Sequence, residues 1–73
     1  DVNKDAILDA AYKLVIEQGK LMVPRSEIAE AAGVSSGYVS ILWDGMPNLR
    51  KAIVERARAE GHERIVLQAE ALT

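Results

Sequence analysis

The chain has no cysteine and no phenylalanine, one histidine, one tryptophan and two prolines. Without cysteine there is no disulfide framework and no thiolate metal site, so a reducing, cytoplasmic setting is the expectation. Aromatic residues make up 4% of the chain against 49% hydrophobic residues overall. The core must therefore be aliphatic and alanine-rich, a composition that favours helices. Apolar runs are only a few residues long, so no membrane-spanning segment is expected. No secretory signal pattern opens the chain. It begins at Asp1 instead of methionine, and a trimmed chain or a fragment is expected on that ground.

Catalytic chemistry is also short of material. The single histidine, His62, stands beside Gly61 and Glu63 on what reads as an exposed helix, with no second imidazole or thiol at metal spacing. No glycine-rich loop has a lysine placed for phosphates. A chain of 73 residues encloses little of a pocket, and at this size a single core is marginal and dimerisation often helps. The expectation is no enzyme, no metal, no cofactor and no small-molecule pocket.

What is present reads as helix throughout. Residues 3 to 18 place Ile7, Ala10, Ala11, Leu14 and Val15 at helical spacing, with Asn3 or Asp1 as caps and Gly19 as the stop. Lys20 to Val23 form a connector, and Pro24 suits the first turn of a second helix at about 25 to 32, which buries Ile28, Ala29 and Ala32. Gly33 can take positive φ, Val34 can plug the angle, and Ser35 can cap a third helix from Ser36 to Trp43. On the wheel of that helix Val39, Leu42 and Trp43 share the core face, Gly37, Ser40, Ile41 and Asp44 lie opposite, and Tyr38 sits on the flank. Asp44-Gly45 breaks it, and a fourth helix starts at about Pro47, with Leu49, Ala52 and Ile53 inward, and runs to about 60. From His62 onward Ile65, Ala69 and Leu72 form a stripe with Val66 beside it. A bundle this small leaves little for that stripe to cover, which makes it a candidate partner surface.

Two short helices meeting at Ala32-Gly33-Val34, with a cap at Ser35, spell a helix-turn-helix, a motif whose second helix enters the major groove of DNA. The formal net charge of -2 argues mildly against this, because phosphate neutralisation supplies most non-specific affinity. Its distribution softens the objection. Residues 20 to 51 hold four basic and three acidic side chains, whereas the segments before and after are each net acidic. The third helix has no charge at all, so bases would be read by Ser36, Gly37, Tyr38 and Ser40, through hydroxyls and a closely approaching backbone. Ile41 on the same face suits a thymine methyl. Arg25, Ser35, Arg50 and Lys51 lie at helix starts that flank the groove and are the candidate phosphate contacts. Lys4, Lys13, Arg56, Arg58 and Arg64 stand among acids at helical spacing and read as solvated or paired.

From about Ile7 to Ile53 the chain resembles the N-terminal DNA-binding domain of the tetracycline-repressor family of bacterial regulators. Ile7-Leu8-Asp9-Ala10-Ala11 with Gly19, Ile28-Ala29, Ala32-Gly33-Val34-Ser35, Gly37, Trp43 in the place of an aromatic, and Leu49 carry the likeness without a gap. Ser40 stands where the family usually has a backbone-contacting tyrosine, and Met46 where it has a phosphate-contacting lysine. Val23 and Pro24 replace the usual threonines. Each departure removes a donor to phosphate, so a single half-site should bind weakly. The family also has a large C-terminal ligand-binding and dimerisation domain. Only about twenty residues follow here, which implies either a fragment or a miniature regulator dimerising through its last helix.

The combined expectation is an all-α helical bundle with a helix-turn-helix domain at 1–53 and a C-terminal helical extension at 54–73. It would act as a homodimeric, sequence-specific regulator on double-stranded DNA, in the manner of a bacterial or phage repressor, with Ile65, Val66, Ala69 and Leu72 forming the dimer contact. The other class the sequence allows is a protein-interaction module built on the same motif, such as an antirepressor or a phage packaging adaptor.

Overall fold

Asn3 sets where the first helix begins: its side chain accepts the Ala6 backbone N–H at 2.9 Å, satisfying one of the amides that a helix start leaves without a partner. The structure, a computed structural model, describes residues 2–72. Asp1, the other candidate cap, lies outside them. Among the described residues there are five helices and no strand: α1 Lys4–Gln18, α2 Arg25–Ala32, α3 Ser36–Trp43, α4 Met46–Glu60 and α5 Glu63–Ala71. None is long and apolar enough to cross a membrane.

The core is the aliphatic one the composition requires. Ile7, Ala11 and Val15 on α1 meet Ile28 and Ala29 on α2, Val39 and Trp43 on α3, Leu49, Ile53 and Ala57 on α4 and Ile65 on α5 in one buried cluster. Leu21 and Val23 join it from the connector, so that segment is pinned by its alternate residues. α1 packs on α2, α3 and α4, and α5 packs on α4. Trp43, 9% exposed, donates its indole N–H to the Lys4 carbonyl at 3.1 Å, which ties the end of α3 to the start of α1. The Lys4 ammonium lies 4.4 Å from the indole centroid, a cation–π contact.

Several boundaries differ from the sequence reading. Pro24 is the N-cap of α2 with extended backbone, not its first-turn residue, and α4 starts at Met46 after Gly45, with Pro47 second. Arg50 and Lys51 consequently lie in the second turn of α4. The division at 53/54 falls inside this continuous helix, and Ala57 and Ile65 beyond it belong to the same core.

One member of the expected dimerisation stripe does not lie on the surface. Ile65 is 2% exposed and buried in the chain's own core, with Val66 and Ala69 packed partly against it. An amphipathic stripe reports that a core exists but not whose, and here α4 and the connector supply it. Gln68 completes the docking: its side-chain carbonyl accepts the Leu21 N–H at 2.7 Å and its amide donates to the Gly19 carbonyl at 2.8 Å. Gly19 has φ +67, and a Cβ there would come within 2.7 Å of an Arg64 nitrogen. What α5 leaves outside is Leu67 and Leu72, at 62% and 61% exposure.

A polar pin holds α1 to α4 on the outside of the bundle. Arg56 donates to Asp9 at 2.6 Å and to Glu60 at 3.1 Å, and its guanidinium stacks 4.3 Å from the Tyr12 ring centroid. Tyr12 donates to Glu60 at 3.0 Å, and His62, at the N-cap position of α5 but without a side-chain cap bond, meets the Tyr12 ring edge-on. Hydrogen bonds from Arg56 and then Tyr12 hold the Glu60 carboxyl below its ordinary value, whereas burial pushes the Tyr12 hydroxyl up, helped by its bond to Glu60. A lowered carboxyl contributes stability that is complete above the unfolded value and lost as pH falls through the folded one.

Two outcomes follow from this packing. Gln68→Ala leaves the Leu21 N–H and Gly19 carbonyl without their partner, so urea unfolding should show a loss of about 1–3 kcal/mol, with amide exchange in α5 accelerated first. In unfolding experiments from neutral pH downward, the parent should lose stability below the ordinary carboxyl value of 4.5. Glu60→Gln should show a shallower acid limb.

Candidate nucleic-acid interface

The turn between α2 and α3 is set by three residues with separate tasks. Gly33 lies at φ +75 and donates its N–H to the Ala29 and Glu30 carbonyls at the C-terminal end of α2, a conformation that costs a residue with a Cβ about 1–2 kcal/mol. Val34 packs partly on the core and donates its backbone N–H to the Ala29 carbonyl at 2.9 Å. Ser35 Oγ accepts the Tyr38 backbone N–H at 3.2 Å, so α3 starts where the sequence places it. At the other end Asp44 takes φ +55, and the Asn48 side chain donates to the carbonyls of Trp43 and Asp44. α3 is thus capped at both ends, with Val39 and Trp43 locked into the core.

The outer face of α3 holds four of the expected contacts. Ser36 is half-buried and Gly37 is exposed. Gly37 is not among the positive-φ residues, and a Cβ built on it would meet nothing within 4 Å. Nothing inside the molecule calls for a glycine there, although a glycine in the first turn of a helix still gives up part of the roughly 0.5–1 kcal/mol by which alanine is favoured in a helix interior. Tyr38 is only partly free, because its hydroxyl donates to the Val2 carbonyl at 2.8 Å. Val2, Val34, Ser35 and Tyr38 line a depression beside the first turn of α3. Ser40 is half-buried, and its Oγ accepts from Arg25 at 2.6 Å. Ile41 is 76% exposed, more than any other large apolar side chain among the described residues.

The candidate phosphate contacts are less alike than their sequence positions imply. Arg25, the first residue of α2, is exposed and already brought to α3 by Ser40. Lys51 is exposed, whereas Arg50 is half-buried with its Nε enclosed and without a hydrogen-bond partner among the described residues. None of the three belongs to an ion pair there. The Arg25–Ser40 and Tyr38–Val2 bonds escaped sequence reasoning because each joins residues far apart in the chain. Neither has a periodic signal.

The face as a whole is a charge-free surface of a helix capped at both ends, with a cation delivered from the neighbouring helix. It offers hydroxyl donors and acceptors, one gap in the side-chain layer and one apolar projection. It lacks positioned acid–base pairs, and the described residues contain no cluster of metal-ligating side chains. No family model, curated protein or solved structure matches the chain.

Filling the gap at Gly37 tests its structural role directly. Gly37→Ala should raise the unfolding free energy by a few tenths of a kcal/mol, up to about 1 kcal/mol, measured by urea or thermal denaturation. Gly33→Ala should lower it by about 1 kcal/mol or more.

Proposed function

We propose that this chain is a sequence-specific, double-stranded DNA-binding transcriptional regulator acting as a homodimer. The observation that carries the reading is Gly37: an exposed glycine in the first turn of a capped helix, in ordinary helical conformation, with open space where its side chain would stand. A residue that costs stability and serves no internal contact fits a surface against which something must come close. On a helix held across α2 by a three-residue turn, that something is the floor of the major groove. Ser36 and the Gly37 backbone would meet base edges, Tyr38 and Ser35 would border them, and α2 would cross the backbone with Arg25 toward phosphate. Lys51 is the freer of the two α4 cations for the same task. A repressor role follows from the family resemblance alone.

The dimer in this proposal uses α5 differently from the sequence expectation. Ile65 is already buried, so the contact rests on exposed Leu67 and Leu72 with the free edge of Val66. A two-fold axis there would present two copies of α3 to half-sites about one helical turn apart, roughly 34 Å. With a few phosphate contacts per protomer, the logarithmic salt dependence should be modest for a dimer, on the order of −5 to −7.

Ile41 favours a second reading. A large aliphatic side chain 76% exposed at the centre of an uncharged helix also suits docking into a protein groove, as in an antirepressor or a packaging adaptor. Salt separates the two, since apolar docking lacks the counterion release that DNA binding entails.

Selection from a random duplex pool at low salt should enrich a two-fold symmetric site, with light scattering showing two chains per winning duplex. Gly37→Ala should bind that duplex on the order of tenfold more weakly although it is the more stable protein. Absence of any enriched sequence would sink the DNA reading in favour of the protein-docking one.

A further inference from the structure

α3 carries no charge of its own, yet the fold brings one to it. Arg25 Nη1 lies 2.6 Å from Ser40 Oγ, across the junction of α2 and α3. A guanidinium has five N–H donors in a planar fork. One is spent on Ser40, and the other four have no acceptor among the described residues. Ser40 in turn uses its oxygen as the acceptor, which leaves its own hydroxyl hydrogen free to donate outward. What the pair presents most strongly to an approaching group is therefore the charged N–H fork of the guanidinium.

The surroundings add to this. Pro24, the N-cap of α2, provides no side-chain cap, and the first backbone amides to find a carbonyl are those of Glu27 and Ile28, on Pro24 itself. The N–H groups of Arg25 and Ser26 have no hydrogen-bond partner among the described residues, and the start of a helix favours an anion. Glu27, the one acid in that turn, accepts from Gln18 at 3.2 Å. The cation stays free of it.

We infer that Arg25 and Ser40 form a two-residue clamp for a single backbone phosphate of the DNA that α3 enters, with Ser40 as a positioning residue and not a base reader. The inference rests on the DNA-binding reading and gives that site its phosphate anchor. Arginine matches a phosphate bidentately, and a guanidinium already held in place loses less freedom on binding than a free one. Ser40 acts by holding the guanidinium through the 2.6 Å bond, and the charge that a phosphate calls for comes from Arg25 and not from a hydroxyl. The clamp compensates within the reading site for the absence of any charge between Ser36 and Trp43.

The test uses the full chain and the most enriched duplex, with neutral methylphosphonate placed at one backbone position at a time. One position per half-site should weaken the parent on the order of tenfold and leave Arg25→Ala unmoved. Arg25→Ala should also reduce the salt slope by about 0.9 per protomer. Ser40→Ala should weaken binding while keeping the same preferred bases, should add nothing in an Arg25→Ala background, and should be rescued by Ser40→Thr. Both side chains lie outside the buried core, so melting temperatures should stay at the parent value. If no phosphate position distinguishes the parent from Arg25→Ala, or if Ser40→Ala changes the preferred base, the clamp is wrong while DNA binding stands. A parent chain that binds no duplex removes both.

Discussion

The placement of α3 depends on one side chain. Trp43 is the largest residue available to a core that has no phenylalanine, and it stands at the end of the helix whose other face is the candidate interface. Its ring is buried against α1, its N–H is committed to the Lys4 carbonyl, and the Lys4 ammonium covers it from outside. These three contacts fix α3 in rotation as well as in position, because an indole cannot turn without losing its hydrogen bond. Once Trp43 and Val39 are seated, Gly37 and Ile41 have only the solvent side to occupy. The interface is the remainder of a packing problem already solved.

The parts of the molecule that could be read from the sequence are those whose causes are local. The starts and stops of α1 and α3 depend on Asn3, Gly19, Ser35 and Asp44 acting on backbone groups a few residues away, and they stand where the pattern places them. The burial of Val39 and Trp43 follows from helical spacing alone. Ile65 marks the limit of that logic. Its periodicity identifies an apolar face correctly, but whether that face meets another copy or the chain's own α4 depends on how the chain turns at Gly61. Gln68 decides the matter through two hydrogen bonds to the connector, a tertiary contact between residues 47 and 49 positions apart. A solitary glutamine in an exposed-looking helix gives no warning of it.

The site shows the same division. Which residues lie on the outer face of α3 is a matter of helical geometry and was legible. Which of them are already occupied is not, because Tyr38 is engaged by Val2 and Ser40 by Arg25. Arg50 and Lys51, neighbours in sequence, differ for a related reason: α4 begins at Met46, and its rotation half-buries the first and exposes the second.

The outward residues of α3 take almost no part in holding the fold together, and this bears on how such a chain can change over generations. Ser36, Gly37 and Ile41 touch little of the core, while Val39 and Trp43 on the same helix supply the anchoring. Substitutions on the outward side can change the surface that α3 presents without drawing on a small domain's thin reserve of stability. The inward side is closed to that kind of exploration. A lineage built on this helix can vary that outward surface in single steps, each passing through a folded protein.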